Sequence, residues 1–143
     1  MEGERVGFIL IGLKTEQFAI FEDNYSSKDD VELKTELEFK INEKTKTIGV
    51  FTTFVFEQKK QAFLKLQISC QFKINEDSFD SFCKESEITV PKELLIHITM
   101  ITVSSARGVL HAKTEGTEFN KFLLPTMDVT KMVKEDVSFS LNK

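Results

Sequence analysis

Between residues 31 and 74 the chain alternates apolar and polar positions. In VELKTELEFKI, Val31, Leu33, Leu37, Phe39 and Ile41 share one side with Thr35, while Glu32, Lys34, Glu36, Glu38 and Lys40 take the other. A period of two is that of a half-buried strand. In LKLQISCQFKI, Leu64, Leu66, Ile68, Cys70, Phe72 and Ile74 alternate with Lys65, Gln67, Ser69, Gln71 and Lys73 in the same way. Between them, TIGVFTTFVFE carries Val50, Phe54 and Phe56 on one side and Phe51 and Val55 on the other, which predicts a more central strand. Polar turns at 42–46 and 57–61 join the three as a meander. Upstream, GFILIGLKTEQFAIFED predicts one or two further extended pieces, broken near Gly12 to Glu16, that complete a four-stranded antiparallel sheet over 8–75.

After residue 76 the pattern changes. VPKELLIHITMITVSSARGVLHAK opens with Pro91 at a first helical position and has Glu93 where it suits the positive end of a helix dipole, so a helix over 90–113 is expected. Its centre, IHITMITV, is rich in β-branched residues, and propensity alone leaves a strand open. Wound as a helix, the segment carries apolar residues on every side and no charge from Leu94 to Ala106. Such a helix requires cover on every side, and one sheet covers only one. A second copy of the chain is the economical cover. The row His97, Ile101, Ser104, Gly108 and His111 marks the expected subunit contact, with Ser104, Gly108 and Ala112 small enough for a close backbone.

Composition changes this picture little. At 143 residues and 41% hydrophobic content the chain supports one core, since a domain of this size buries about 70% of its unfolded surface. A net charge of -4, with Arg5 and Arg107 the only arginines, argues against a nucleic-acid partner. No 18-residue apolar run stands out, and Glu2 and Glu4 do not make the basic start of a secretory signal, so membrane insertion is not expected and a cytoplasmic location is. In that setting Cys70 and Cys83 are expected as reduced thiols, Cys70 inside a strand's apolar face.

Catalytic chemistry finds no purchase. His97 and His111 stand fourteen residues apart, about 21 Å along a helix, too far to share a metal within one chain. No CxxC, HExxH, GxSxG, GxGxxG or P-loop pattern occurs. Glu76, Asp77, Asp80 and Glu85 read as a solvated acidic loop rather than as general acids and bases. No enzyme, metal or cofactor is expected. Phenylalanine is what the chain has in excess: 14, against one tyrosine and no tryptophan. Phe51 and Phe63 lie on the less apolar strand faces, and Phe79, Phe82, Phe119 and Phe122 fall in expected loops. Two readings stay open for these rings: ordinary packing of loops on the core, or an apolar groove suited to extended polypeptide.

The order of parts resembles the SecB export chaperones. GFILIGLKTEQFAIFE, then VFTTFVFEQKKQAFLKLQISCQFKI, then VPKELLIHITMITVSSARG, then a connection ending FLLPTMDV, is similar to that family's strand ending in Phe-Glu, meander, Pro-initiated helix, crossover loop and second helix. Ser104 to Gly108 and Leu124-Pro125 carry most of the likeness, which covers most of residues 8–133. The resemblance implies an ATP-independent holdase: a homotetramer, built as a dimer of dimers, that wraps unfolded or precursor polypeptides in grooves between sheet and crossover loop and passes them to the SecA motor through an acidic sheet surface. The resemblance places Phe119, Phe122, Leu123 and Leu124 in the crossover loop, which with Phe72, Phe79 and Phe82 make the expected peptide groove; carried over residue by residue, Glu22 in IFE matches the family's Phe-Glu at the motor-docking surface, and Glu16 is a looser candidate. The chain departs from the family in its short second helix, its mild charge and the lack of a long acidic tail. SecB-like proteins also include chaperones dedicated to an antitoxin, and a closed, small-ligand-binding α+β domain is the reading from another class.

The fold expected is therefore α+β: a four-stranded antiparallel meander sheet over 8–75 packed on one long helix at 90–113, a crossover loop at 114–127, a short C-terminal helix at 128–134 with Asp128 as its N-cap, and a tail at 135–143.

Overall fold

The computed structural model describes residues 7–141; Arg5, Asn142 and Lys143 lie outside them. Four long strands, β1 (Phe8–Ile20), β2 (Glu32–Asn42), β3 (Thr47–Gln58) and β4 (Gln61–Ile74), form one antiparallel sheet in the order β1-β4-β3-β2. The meander of the alternating segments is there, and β1 closes against β4 rather than β2. A short helix α1 (Glu76–Phe82), strands β5 (Cys83–Lys84) and β6 (Glu87–Val90), the long helix α2 (Lys92–Thr114), helix α3 (Val129–Met132) and strand β7 (Val137–Ser140) follow, with β5-β6-β7 making a second small sheet. The α+β class and the sheet, long helix and short helix are as the pattern predicts.

Four local expectations are corrected. Upstream of residue 21 the chain makes a single 13-residue strand, and the expected break is two register shifts, between Leu10 and Gly12 and between Thr15 and Gln17, which leave Ile11 and Glu16 as the extra residues. The stretch after residue 76 is not loop: Asn75 Oδ1 accepts from the amides of Asp77 and Ser78, caps α1, and lets Phe79 and Phe82 share one apolar side. Residues of the tail form β7, because Val137 to Ser140 alternate and pair with β6. Pro91 occupies the N-cap of α2 with an extended backbone, one residue ahead of the first-turn position expected.

Turn chemistry fixes the sheet. The β3–β4 connection is Lys59-Lys60, both with positive φ (51° and 66°), the conformation of a two-residue hairpin that matches strand twist. In the β2–β3 turn, Asn42 Oδ1 accepts from the amides of Lys44 and Thr45. The core lies between the sheet's inner face and α2: Ile48, Val50, Phe54, Leu66, Ile68, Cys70 and Phe72 from the strands meet Leu95, Ile98, Val103, Ala106 and Leu110 from the helix. At one end of α2, His97 stacks edge-on against Phe8 (5.6 Å), and at the other the Lys113 ammonium lies 5.9 Å from the Phe18 ring. The helix therefore runs along the inner face beside β1.

By length and composition α2 is apolar enough to cross a membrane (mean hydropathy 1.3), which corrects the expectation that no such run exists; 44% of that stretch is buried inside the protein, and packing on the sheet accounts for much of its apolar content.

Candidate polypeptide-binding and subunit surfaces

Two aromatic systems flank the core. The larger joins Tyr25, Phe56, Phe63, Phe119 and Phe122. Phe63 faces this cluster because of a register shift beside Phe56: Phe56 pairs with Leu64 and Glu57 with Ala62, so Phe63 is the extra residue and turns inward. Alternation alone put it on the opposite face. Tyr25 was not singled out from sequence, and only the fold brings it to this place: Asn24 donates to the Ala62 carbonyl, and the Ser26 amide and carbonyl bond the Gln58 side chain, pinning the loop to the β3–β4 hairpin. Ring centroids are 5.1 Å apart for Phe63–Phe122, 5.3 Å for Tyr25–Phe119 and 5.7 Å for Phe56–Phe122, in edge-on or tilted arrangements.

The crossover loop supplies Phe119 and Phe122 from a 3-10 turn, Glu118–Lys121, that starts at Thr117, whose hydroxyl accepts from the Phe119 amide. Arg107 answers the loop from α2. Its Nε donates to the Leu124 carbonyl (3.0 Å) and its terminal nitrogen to the Pro125 carbonyl (2.8 Å), so one guanidinium satisfies two carbonyls of a segment without regular structure. Asn120 Nδ2 donates to the His111 carbonyl and to Thr114 Oγ1.

The seven groove candidates do not line one open groove. Phe72, Phe79, Phe82, Phe119 and Leu124 are buried, Phe122 is half-buried, and Leu123 alone is exposed, at 58%. Phe72 belongs to the helix–sheet core, and Phe79 and Phe82 to α1; only Phe119 and Phe122 come together with the sheet aromatics. Burial is the physical reason: each ring removed from water finds its cover within this chain.

The open apolar surface lies elsewhere. On β1, Ile9 is 66%, Ile11 57% and Leu13 47% exposed, and Leu10 is also open. Register puts Leu10 and Leu13, opposite Phe72 and Cys70, on the helix side of the sheet, with Ile9 on the other. As one of the two edge strands of the sheet, β1 bonds β4 along one edge only. Beside it, α2 buries one side and leaves a strip that contains His97, Met100 (51% exposed), Ser104, Gly108 and His111 in solvent, with Ile101 half-buried. The expected subunit-contact row is thus the uncovered side of α2. A shallow open groove of about 480 Å³ runs along it, lined by His97, Met100, Ile101, Ser104 and Ser105. A Cβ on Gly108 would meet nothing within 4 Å. Cys70 lies under this strip beside Thr102 and Ser105, and burial pushes its thiol above the ordinary value.

The sheet surface around Glu16, the looser of the two motor-docking candidates, is mixed in charge. Pairing places Lys14, Lys34, Lys40, Lys65 and Lys73 on the outer face of the sheet together with Glu32, Glu36, Glu38 and Glu57, and Glu16 joins them by accepting from Ser69 Oγ at 2.7 Å. Glu22 sits off the end of β1 on a 3-10 turn next to Asp23, with about 13 Å of strand from Glu16 to Ile20 and then a turn between them. The two are not brought together. Glu76 and Asp80 are exposed partners of Lys46 Nζ (3.3 and 2.9 Å), a surface ion triplet. Among the described residues no group of three or more His, Cys, Asp or Glu is placed to hold a metal ion.

Compared with protein-family models, with curated proteins and with solved structures, the chain matches none.

Proposed function

We propose that the chain is a SecB-like homo-oligomer that holds non-native polypeptide without ATP, with the α2 strip and the β1 edge covered by sister subunits. The observation that carries this reading is a pair of uncovered apolar surfaces beside one another, Leu10 and Leu13 on the helix side of the edge strand β1 and Met100 with half-buried Ile101 on the open side of α2, which Phe8 and His97 bring together at one end of the helix. Isolated exposed leucines need no explanation, but a bare sheet edge beside a bare helix side supports a contact with another chain. The observed order of sheet, long helix, crossover and short helix agrees with what the resemblance implies. Several weak apolar contacts linked around an oligomer would hold an unfolded client by avidity, without a tight individual site.

The mixed charge of the outer sheet face favours a chaperone acting on its own client, such as an aggregation-prone antitoxin, over one that docks a SecA-type motor through an acidic patch. Native mass spectrometry of the chain alone and with a reduced, unfolded model client tests the proposal. A tetramer that takes up the unfolded client and ignores its folded form is expected; a monomer with no uptake overturns it.

A further inference from the structure

We infer that the crossover segment 115–125 is an internal occupant of a polypeptide-binding site: Tyr25, Phe56 and Phe63 form a three-ring receptor, Phe119 and Phe122 fill it at rest, and an extended client with closely spaced aromatic residues enters by displacing them. The inference rests on the holdase reading and reverses the role expected of the crossover rings, from wall of the groove to its first ligand.

The receptor stands without the segment. Phe56 and Phe63 belong to the β3–β4 hairpin, where the Phe21 amide donates to the Phe63 carbonyl at 2.8 Å. Tyr25 is held by the bonds of Asn24 and Ser26 to the same hairpin. None of these contacts involves residues 115–125.

The occupant, by contrast, is tied by side chains. Among the described residues its backbone–backbone bonds beyond helices and strands are local, Thr117 to Thr114, Asn120 to Thr117 and Phe122 to Phe119, so it can lift without opening a β-ladder. Its polar anchors are the two bonds from Arg107, those of Asn120, and the Lys121 ammonium, which lies 5.3 Å from the Tyr25 ring. Where it leaves α2, Gly116 adopts φ +84°, a conformation that favours glycine, with open space around it. What lifting uncovers is two rings' width of aromatic surface on a rigid hairpin, suited by shape and chemistry to aromatic side chains of another extended chain. A site filled by its own chain shows an affinity reduced by the fraction of time it stands open.

The test is one of sign. Arg107→Gln and, separately, Phe122→Ala are compared with the unaltered chain. Binding of labelled, reduced and carboxymethylated α-lactalbumin is followed by anisotropy, and opening by hydrogen exchange at the Asn120 and Phe122 amides. Both variants are expected to exchange faster and to bind the client about tenfold more tightly. Faster exchange with unchanged or weaker binding overturns the inference and returns the crossover rings to the groove wall; so does exchange that fails to accelerate. If Arg107→Gln does not fold, Asn120→Ala releases the second anchor and is read in the same way. Uptake by the unaltered chain judges the holdase reading, and the direction of change in the variants judges this one: a chain that binds while its variants bind no better loses only the occupant.

Discussion

Strands β4 and β1 are hydrogen-bonded neighbours of 14 and 13 residues, both rich in isoleucine, leucine and phenylalanine, and they meet opposite fates. Along β4, Leu64, Leu66, Ile68, Phe72 and Ile74 are removed from water; along β1, Ile9, Leu10, Ile11 and Leu13 stay in it. The difference is position. β4 has a strand on each edge and α2 above, whereas β1 has one partner, two bulges that turn its side chains, and a helix that passes beside it. Apolar content therefore records that a residue needs cover, and topology decides whether this chain provides it.

The contrast can be broken at several strengths. Phe72→Ala in β4 is expected to cost about 3–5 kcal/mol in urea unfolding at fixed protein concentration, because the cavity lies in the helix–sheet core. Leu13→Ala on β1, in a variant kept monomeric, is expected to cost less than about 1 kcal/mol, since the residue is nearly half exposed. Equal losses at the two sites would remove the distinction.

Next in size comes assembly. Ile11→Lys combined with Leu13→Lys puts charge on the open edge and is expected to lower the mass measured by sedimentation, with the far-ultraviolet circular dichroism of the sheet retained; an unchanged mass excludes the edge as a contact. Gly108→Leu fills open space on α2 and gains helix propensity of up to about 1 kcal/mol, so the subunit is expected to be slightly more stable while light scattering reports a smaller assembly. Unaltered mass would take the α2 strip out of the interface.

The smallest effect is electrostatic. The hydrogen bond to Asp80, with help from Glu76, raises the pKa of Lys46 against the opposing cost of desolvation. A lysine held above its ordinary value of 10.5 contributes stability that is fully present below that pH and is lost as the pH rises through the raised value. Lys46→Gln is expected to flatten the alkaline fall in Tm and to leave neutral stability nearly unchanged, as an exposed ion pair should. A steep loss at neutral pH would show that the triplet, rather than the Asn75 cap, holds α1.

Much of this fold was legible because alternation is a local signal. Leu33 to Ile41 and Leu64 to Ile74 declare strands without reference to anything else, and an uncharged run from Leu94 to Ala106 declares a segment that packs. The short elements were not legible: α1 has two apolar residues and β7 four residues in all, too few for a period to rise above chance. The candidate site was legible in part. Phe119 and Phe122 were marked by their number and their loop setting, and the open row on α2 by its small residues, but Tyr25 and Phe63 reached the cluster through a loop pinned to a hairpin and through one extra strand residue.

By itself the sequence determined the long extended segments, an uncharged run that packs and the side chains that require cover, because these depend on neighbours two to four positions away. Only the tertiary structure decided that β1 closes on β4 and leaves its other edge bare, that Phe63 turns inward, and that the crossover aromatics are buried by their own sheet. Those outcomes depend on contacts between residues tens of positions apart, where strand order and a single bulge decide which of two equally apolar side chains meets water.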